Sequence, residues 1–122
     1  MKIQESAENY LERILMLQKS LGKVRAIDIV NDMNFTKASV SVALKNLREN
    51  NLVTVSENGS INLTCEGLKI AERVLEKHKT ISQFFISIGV SEKQALEDAC
   101  KIEHDISEES FTKLKEFLNK SK

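Results

Sequence analysis

AIDIVNDMNFTKASVSVALKNLRENNLVTVSENGSINLT, residues 26 to 64, decides the fold. Its opening, 26–33, sets Ile27, Val30 and Met33 on one face of a short helix. Asn34 and Phe35 interrupt that spacing as a turn. Thr36 is a preferred capping residue, and a longer helix follows over 37–50. Val40, Ala43, Leu44 and Leu47 form its inward face, while Lys37, Ser41, Lys45 and Arg48 point outward, with Ser39 and Val42 toward the border. Val53, Val55, Ile61 and Leu63 then suggest two short strands around Glu57-Asn58-Gly59-Ser60, and Asn-Gly is a strong hairpin signal. Helix, turn, helix and hairpin in this order is the winged helix-turn-helix plan.

Toward the N-terminus, residues 5–20 read as an amphipathic helix with Tyr10, Leu11, Ile14, Leu15 and Leu17 as its stripe, Ser6 as its cap and Gly22 beyond its end. Toward the C-terminus, residues 66–88 read as a long helix stopped by Gly89. A further helix spans 91–104, with Ser91 and Gln94 as a capping box. A last one spans 107–119, capped by Ser107, with Phe111, Leu114, Phe117 and Leu118 as its apolar face. The fold class expected is therefore mainly α: three helices and a two-stranded wing, followed by an α-helical region.

Composition agrees. The chain has 122 residues, no proline and four glycines, which favours long helices over an all-β fold. Hydrophobic residues are 41% and charged residues 30%, an ordinary globular balance. No apolar run is long enough to cross a bilayer, and the polar opening MKIQESAENY is unlike a signal peptide, so a cytoplasmic location is expected. The two cysteines, Cys65 and Cys100, are expected to stay reduced there. Net charge is formally zero, but 37–48 holds Lys37, Lys45 and Arg48 with no acid, whereas 92–109 is rich in Glu and Asp.

A groove-entering helix presents its N-terminal residues to base edges. Here those are Thr36, Lys37, Ala38, Ser39, Ser41 and Val42. Hydroxyls can donate or accept, and Ala38 or Val42 can meet a thymine methyl. Lys45, Arg48 and the preceding Arg25 suit phosphate contacts, which set register. A basic helix face is by itself usually only a solvated surface; agreement of helix order, turn and wing raises DNA binding above that reading.

Cys100, Glu103 and His104 stand at i, i+3 and i+4, so one helix would present sulfur, oxygen and nitrogen on one face. All three bind metals once deprotonated. His78, the only other histidine, lies in the long helix, and Glu8, Asn9 and Glu12 lie about one turn apart in the first. A lone histidine is more often a surface or core residue; two among carboxylates favour a site.

With these segments in view, the chain resembles the diphtheria-toxin-repressor and manganese-transport-regulator family of metal-dependent transcriptional repressors. The resemblance runs over nearly the full length and rests on AENYLERILML, TKASVSVALKNLRENNLV, NLTCEGLKIAERVLEKH and DACKIEH. It implies a homodimer that binds a palindromic double-stranded DNA operator when Fe(II) or Mn(II) is present. It implies DNA reading by residues 1–65, and metal binding and dimerisation by 66–122. It also implies metal ligands at His78, Cys100, Glu103, His104 and Glu12, with Asn9 where the family has methionine or aspartate. Ser82 and Leu96 replace ligands of an ancillary site in the iron branch, and Val42 replaces a glutamine that some members place in the groove. Ending at Lys122, the sequence leads us to expect no SH3-like C-terminal domain. A thiolate ligand favours Fe(II) over Mn(II), with Zn(II) also accommodated. Phe84, Phe85, Ile88, Leu114 and Phe117 are candidates for the dimer contact or, alternatively, for the core. The competing class is a metal-independent winged-helix regulator of a small organic ligand, in which Cys100 and His104 are structural. An enzyme is not expected, because no general base or nucleophile arrangement accompanies the candidate ligands.

Overall fold

The computed structural model describes residues 5–120. Its elements run α1 (Glu5–Leu21), α2 (Ala26–Met33), α3 (Lys37–Glu49), β1 (Val53–Val55), β2 (Ile61–Leu63), α4 (Cys65–Ser87), α5 (Glu92–Ile102) and α6 (Glu108–Lys120). The chain is mainly α with one antiparallel wing, and it forms two compact units, divided within α4 between Glu72 and Arg73.

In the first unit the apolar stripe of α1 buries Tyr10, Leu11, Ile14 and Leu15. Burial raises the pKa of the Tyr10 phenol above its ordinary value. Gly22 takes φ +84° after α1, and its N–H donates to Gln18 O at 2.9 Å. Ser6 lies inside the helix and is not its cap. Arg25 enters α2 in extended conformation, and its N–H donates to the Asp28 carboxylate at 2.9 Å. Asn34, at φ 58° and ψ 39°, ends α2; asparagine tolerates this left-handed position better than most residues. Thr36 then caps α3, its hydroxyl accepting from Ser39 N at 3.1 Å.

The face of α2 differs from the sequence reading. Ile29 is fully buried, Val30 and Met33 are half-buried and Ile27 is exposed. Ile29 and Met33 stand four apart and Ile27 and Val30 three apart, so both choices satisfy helical spacing. In α3, Val40, Leu44 and Leu47 are buried as expected, while Ala43 is only half-buried.

The strands pair Val53 with Leu63 and Val55 with Ile61, leaving 56–60 as the loop. Gly59 takes φ +85°, and the Asn58 side chain accepts from Ser56 Oγ and Ser60 N. Asn58 itself does not have positive φ, so the wing closes by this wider loop and not by a two-residue Asn-Gly turn. Val24 bridges to Ile61, its carbonyl accepting from Ile61 N at 2.7 Å. Thr64 fixes the exit from the wing: its hydroxyl donates to Asn51 O at 2.7 Å and accepts from Gly67 N at 3.1 Å. Gly67 is required there, because a Cβ would run into the Leu52 carbonyl.

The second unit holds the rest of α4 with α5 and α6. Gly89, at φ +105°, closes α4, and Val90 N donates back to Phe85 O at 2.9 Å. Ser91 and Ser107 cap α5 and α6, accepting from Gln94 N and Ser110 N respectively. The second half of the expected capping box is replaced, since the Gln94 side chain donates to Asp98. Val74, Leu75, Ile81, Ala95, Ala99 and Phe111 are the buried apolar residues of this unit. Glu108 of α6 pairs with Arg73 and, at 3.0 Å, with Lys77 of α4. Hydrogen bonds from Arg73 and then Lys77 hold the Glu108 carboxyl below its ordinary pKa. Lys115 pairs with Glu76 across the same two helices.

Candidate metal centre and nucleic-acid face

His78 projects from α4, and Cys100 from the last turn of α5. α5 ends at Ile102, earlier than the sequence suggests, yet Glu103 keeps helical φ and ψ and its N–H donates to Ala99 O at 2.9 Å. That extra residue of helical backbone keeps Glu103 one turn from Cys100. His104 follows in the turn beyond the helix.

One ligand atom each from His78, Cys100 and Glu103 lie within 4.8 Å of one another. His78 Nδ1 is 3.1 Å from Glu103 Oε2 and 3.7 Å from Cys100 Sγ. His104 Nε2 is 3.5 Å from the other carboxylate oxygen, Glu103 Oε1. Glu103 is 1% exposed, and its Oε1 is buried with no hydrogen-bond partner. A buried carboxylate oxygen is costly when nothing compensates it. The residues therefore fit a divalent cation: imidazole nitrogen, thiol sulfur and carboxylate oxygen converge on one point, and the carboxylate has an unused lone pair. A mixed N, S and O donor set suits Fe(II), Co(II) or Zn(II). Glu8, Asn9 and Glu12 lie on α1 in the first unit, where Glu12 is buried and the other two are half-buried. Ser82 is buried with its hydroxyl donating to Lys79 O, and Leu96 is exposed, so neither adds a ligand.

Every candidate on the nucleic-acid face is exposed: Arg25, Thr36, Lys37, Ala38, Ser39, Ser41, Val42, Lys45 and Arg48. Around α3 the buried Val40, Leu44 and Leu47 define one side. At about 100° per residue, Ala38, Val42 and Lys45 fall on the opposite side. Glu49 ends the helix away from its base-reading turns. Sequence reasoning missed Asp28, which orients the Arg25 backbone, and Thr64, which sets the wing against α4. The signal for Asp28 was present, as an acid three residues after the helix entry.

A winged helix-turn-helix with a basic outward helix, followed by helices gathering a half-buried imidazole and thiol around a buried carboxylate, defines a metal-dependent DNA-binding regulator. Residues 2–61 match the model for the N-terminal DNA-binding domain of iron-dependent repressors. Residues 64–122 match that for the metal-binding and dimerisation domain of the same repressors. The chain belongs to this family, the diphtheria-toxin-repressor and manganese-transport-regulator type, whose members regulate transcription and are not enzymes. It is 35% identical over 120 residues to an uncharacterised HTH-type transcriptional regulator of Methanocaldococcus jannaschii, covering 97% of this chain and 96% of that one. It is 30% identical to the transcriptional regulator MntR of Escherichia coli, covering 95% of this chain and 75% of the relative. Among solved structures, the manganese regulator SloR superposes with a TM-score of 0.82 at 27% identity. IdeR of T. acidophilum superposes with 0.81 at 29%. Each match covers 98% of this chain but 55% of the solved one, so the chain spans about half the length of those relatives. Among the described residues no helix is long and apolar enough to cross a membrane.

Proposed function

We propose that the protein is a homodimeric repressor of divalent-metal homeostasis, activated by Fe(II) to bind a palindromic operator, with Mn(II) or Zn(II) as other candidates. The observation that carries this reading is the His78–Cys100–Glu103 group, with Glu103 buried and its Oε1 unsatisfied. Cys100 argues for Fe(II) over Mn(II), since thiolates are soft ligands. His78, Cys100, Glu103 and His104 would hold the cation, with Glu12, and the Asn9 carbonyl oxygen, recruited from α1. Residues 1–65 are assigned to DNA reading and residues 66–122 to metal binding and dimerisation.

A cation held there would cross-link the segments that carry its ligands. His78 enters on a long helix whose other end follows the wing, and Glu12 enters on the first helix of the reading head. Fixing these two helices would fix the recognition helix α3 in each protomer. The two α3 helices would then match successive major grooves, about 34 Å apart or a multiple of it. Phe84, Phe85, Ile88, Leu114 and Phe117 supply an apolar surface for the second protomer. Phe117 is 58% exposed and stacks edge-on against Phe84 with ring centres 6.2 Å apart, and Ile88 is 60% exposed.

The test is a fluorescence-anisotropy titration on duplexes enriched from a random library. It compares Fe(II), Mn(II), Zn(II) and chelator, for wild type and for Cys100→Ala/His104→Ala. Metal should tighten wild-type binding about tenfold or more, with no response from the double variant. Equal binding in chelator and in the variant contradicts metal activation and leaves a metal-independent DNA reader.

A further inference from the structure

We infer that Val42 reads the 5-methyl group of a thymine in each operator half-site, so that part of the sequence selectivity is apolar. The inference rests on the operator reading above and adds the chemistry of recognition.

Val42 is 61% exposed, the highest value among the exposed large hydrophobic residues that the structure describes. It stands opposite the buried Val40, Leu44 and Leu47, so packing of the reading head does not account for it. Valine is also a poorer helix former than the lysines and glutamates usual on a solvated face. Its neighbours on the same side are Ala38, one turn before it, and Lys45, one turn after it. Ala38 is small enough to let the backbone approach a base edge. Lys45, with Lys37 and Arg48, gives the flanks the positive charge that a phosphate backbone requires. An apolar centre with a cationic rim is complementary to the major-groove edge of thymine. That edge offers a methyl group where the other three bases present only polar atoms or C–H. A valine side chain has no hydrogen-bonding atom, so the contact cannot be read through a donor or acceptor.

The test uses wild type and Val42→Ala, both with the activating metal. Duplexes are first enriched from a random library by the wild-type protein. Each thymine in the enriched half-site is then replaced by uracil, which removes the methyl and leaves the hydrogen-bonding edge unchanged. One position should weaken wild-type binding about fourfold per half-site, the value of one buried methyl-sized group. Val42→Ala should bind the thymine and uracil duplexes equally at that position. As a second variant, Val42→Gln should shift the enriched base there toward adenine. The inference is overturned if no thymine is enriched. It is also overturned if uracil has no effect at any of them, or if Val42→Ala keeps the full discrimination. If the wild type enriches no sequence at all, the operator reading fails first, and the inference falls with it.

Discussion

Glu103 is a carboxylate almost wholly removed from solvent, with histidine nitrogens on both of its oxygens and no hydrogen bond to Oε1. A buried oxygen without a hydrogen bond is unfavourable in a metal-free fold and becomes favourable when a cation binds it. Glu103→Gln should therefore leave the metal-free Tm unchanged or higher and abolish the rise in Tm that Zn(II) or Co(II) gives the wild type, as read by thermal denaturation. A metal-induced rise of full size in the variant would remove Glu103 from the ligand set. The i, i+3 spacing made Cys100 and Glu103 legible as neighbours in the sequence. The burial of Glu103 was not, because it depends on how α4 lies against α5, and no local pattern encodes that. A second residue-scale prediction concerns packing. Gly67→Ala should destabilise the protein by more than the small gain in helix propensity, because its Cβ meets the Leu52 carbonyl. Urea denaturation reads this, and an unchanged midpoint would contradict the close approach.

At the scale of elements, the recognition helix was the most legible piece. Thr36 announces it, the apolar spacing of Val40, Leu44 and Leu47 orients it, and its hydroxyl cap forms as expected. Thr36→Ala should cost about 1 kcal/mol of stability, with a matching fall in the urea midpoint; no change would mean that the cap contributes nothing. The short helix α2 was less legible. Over eight residues, two apolar faces fit the spacing equally well, and only contact with the neighbouring helices selects Ile29. The wing loop was misread for a different reason: Asn58 uses its side chain to hold the loop and not its backbone to make the turn. In α6, Glu108 is held below its ordinary pKa by Arg73 and Lys77. The sign follows from that depression: the pairing stabilises the fold above the unfolded-state pKa and is lost as pH falls through the folded-state value. Glu108→Gln should thus lower stability by no more than about 1 kcal/mol near neutral pH, since Glu108 and Arg73 are both well exposed. The difference from wild type should vanish in acid below the ordinary carboxylate range. A difference that persisted there in thermal melts would point to packing and not charge.

At the scale of the whole molecule, the order of elements was legible because each carries its own start and stop signals. Thr36, Ser91 and Ser107 begin helices, and Gly22 and Gly89 end them. The division within α4 was not, since an uninterrupted amphipathic helix runs through it without a glycine or proline to mark it. The same continuity matters for function. His78 lies on α4, the helix that begins at the exit from the wing. The central claim is that the His78–Cys100–Glu103 group is the metal centre, and a Co(II) titration followed by absorbance tests it most directly, because Co(II)–thiolate bonding gives a charge-transfer band. The account predicts a band that saturates in wild type, survives Cys65→Ser and disappears in Cys100→Ser. A band absent from wild type, or one abolished by Cys65→Ser and kept by Cys100→Ser, would contradict it.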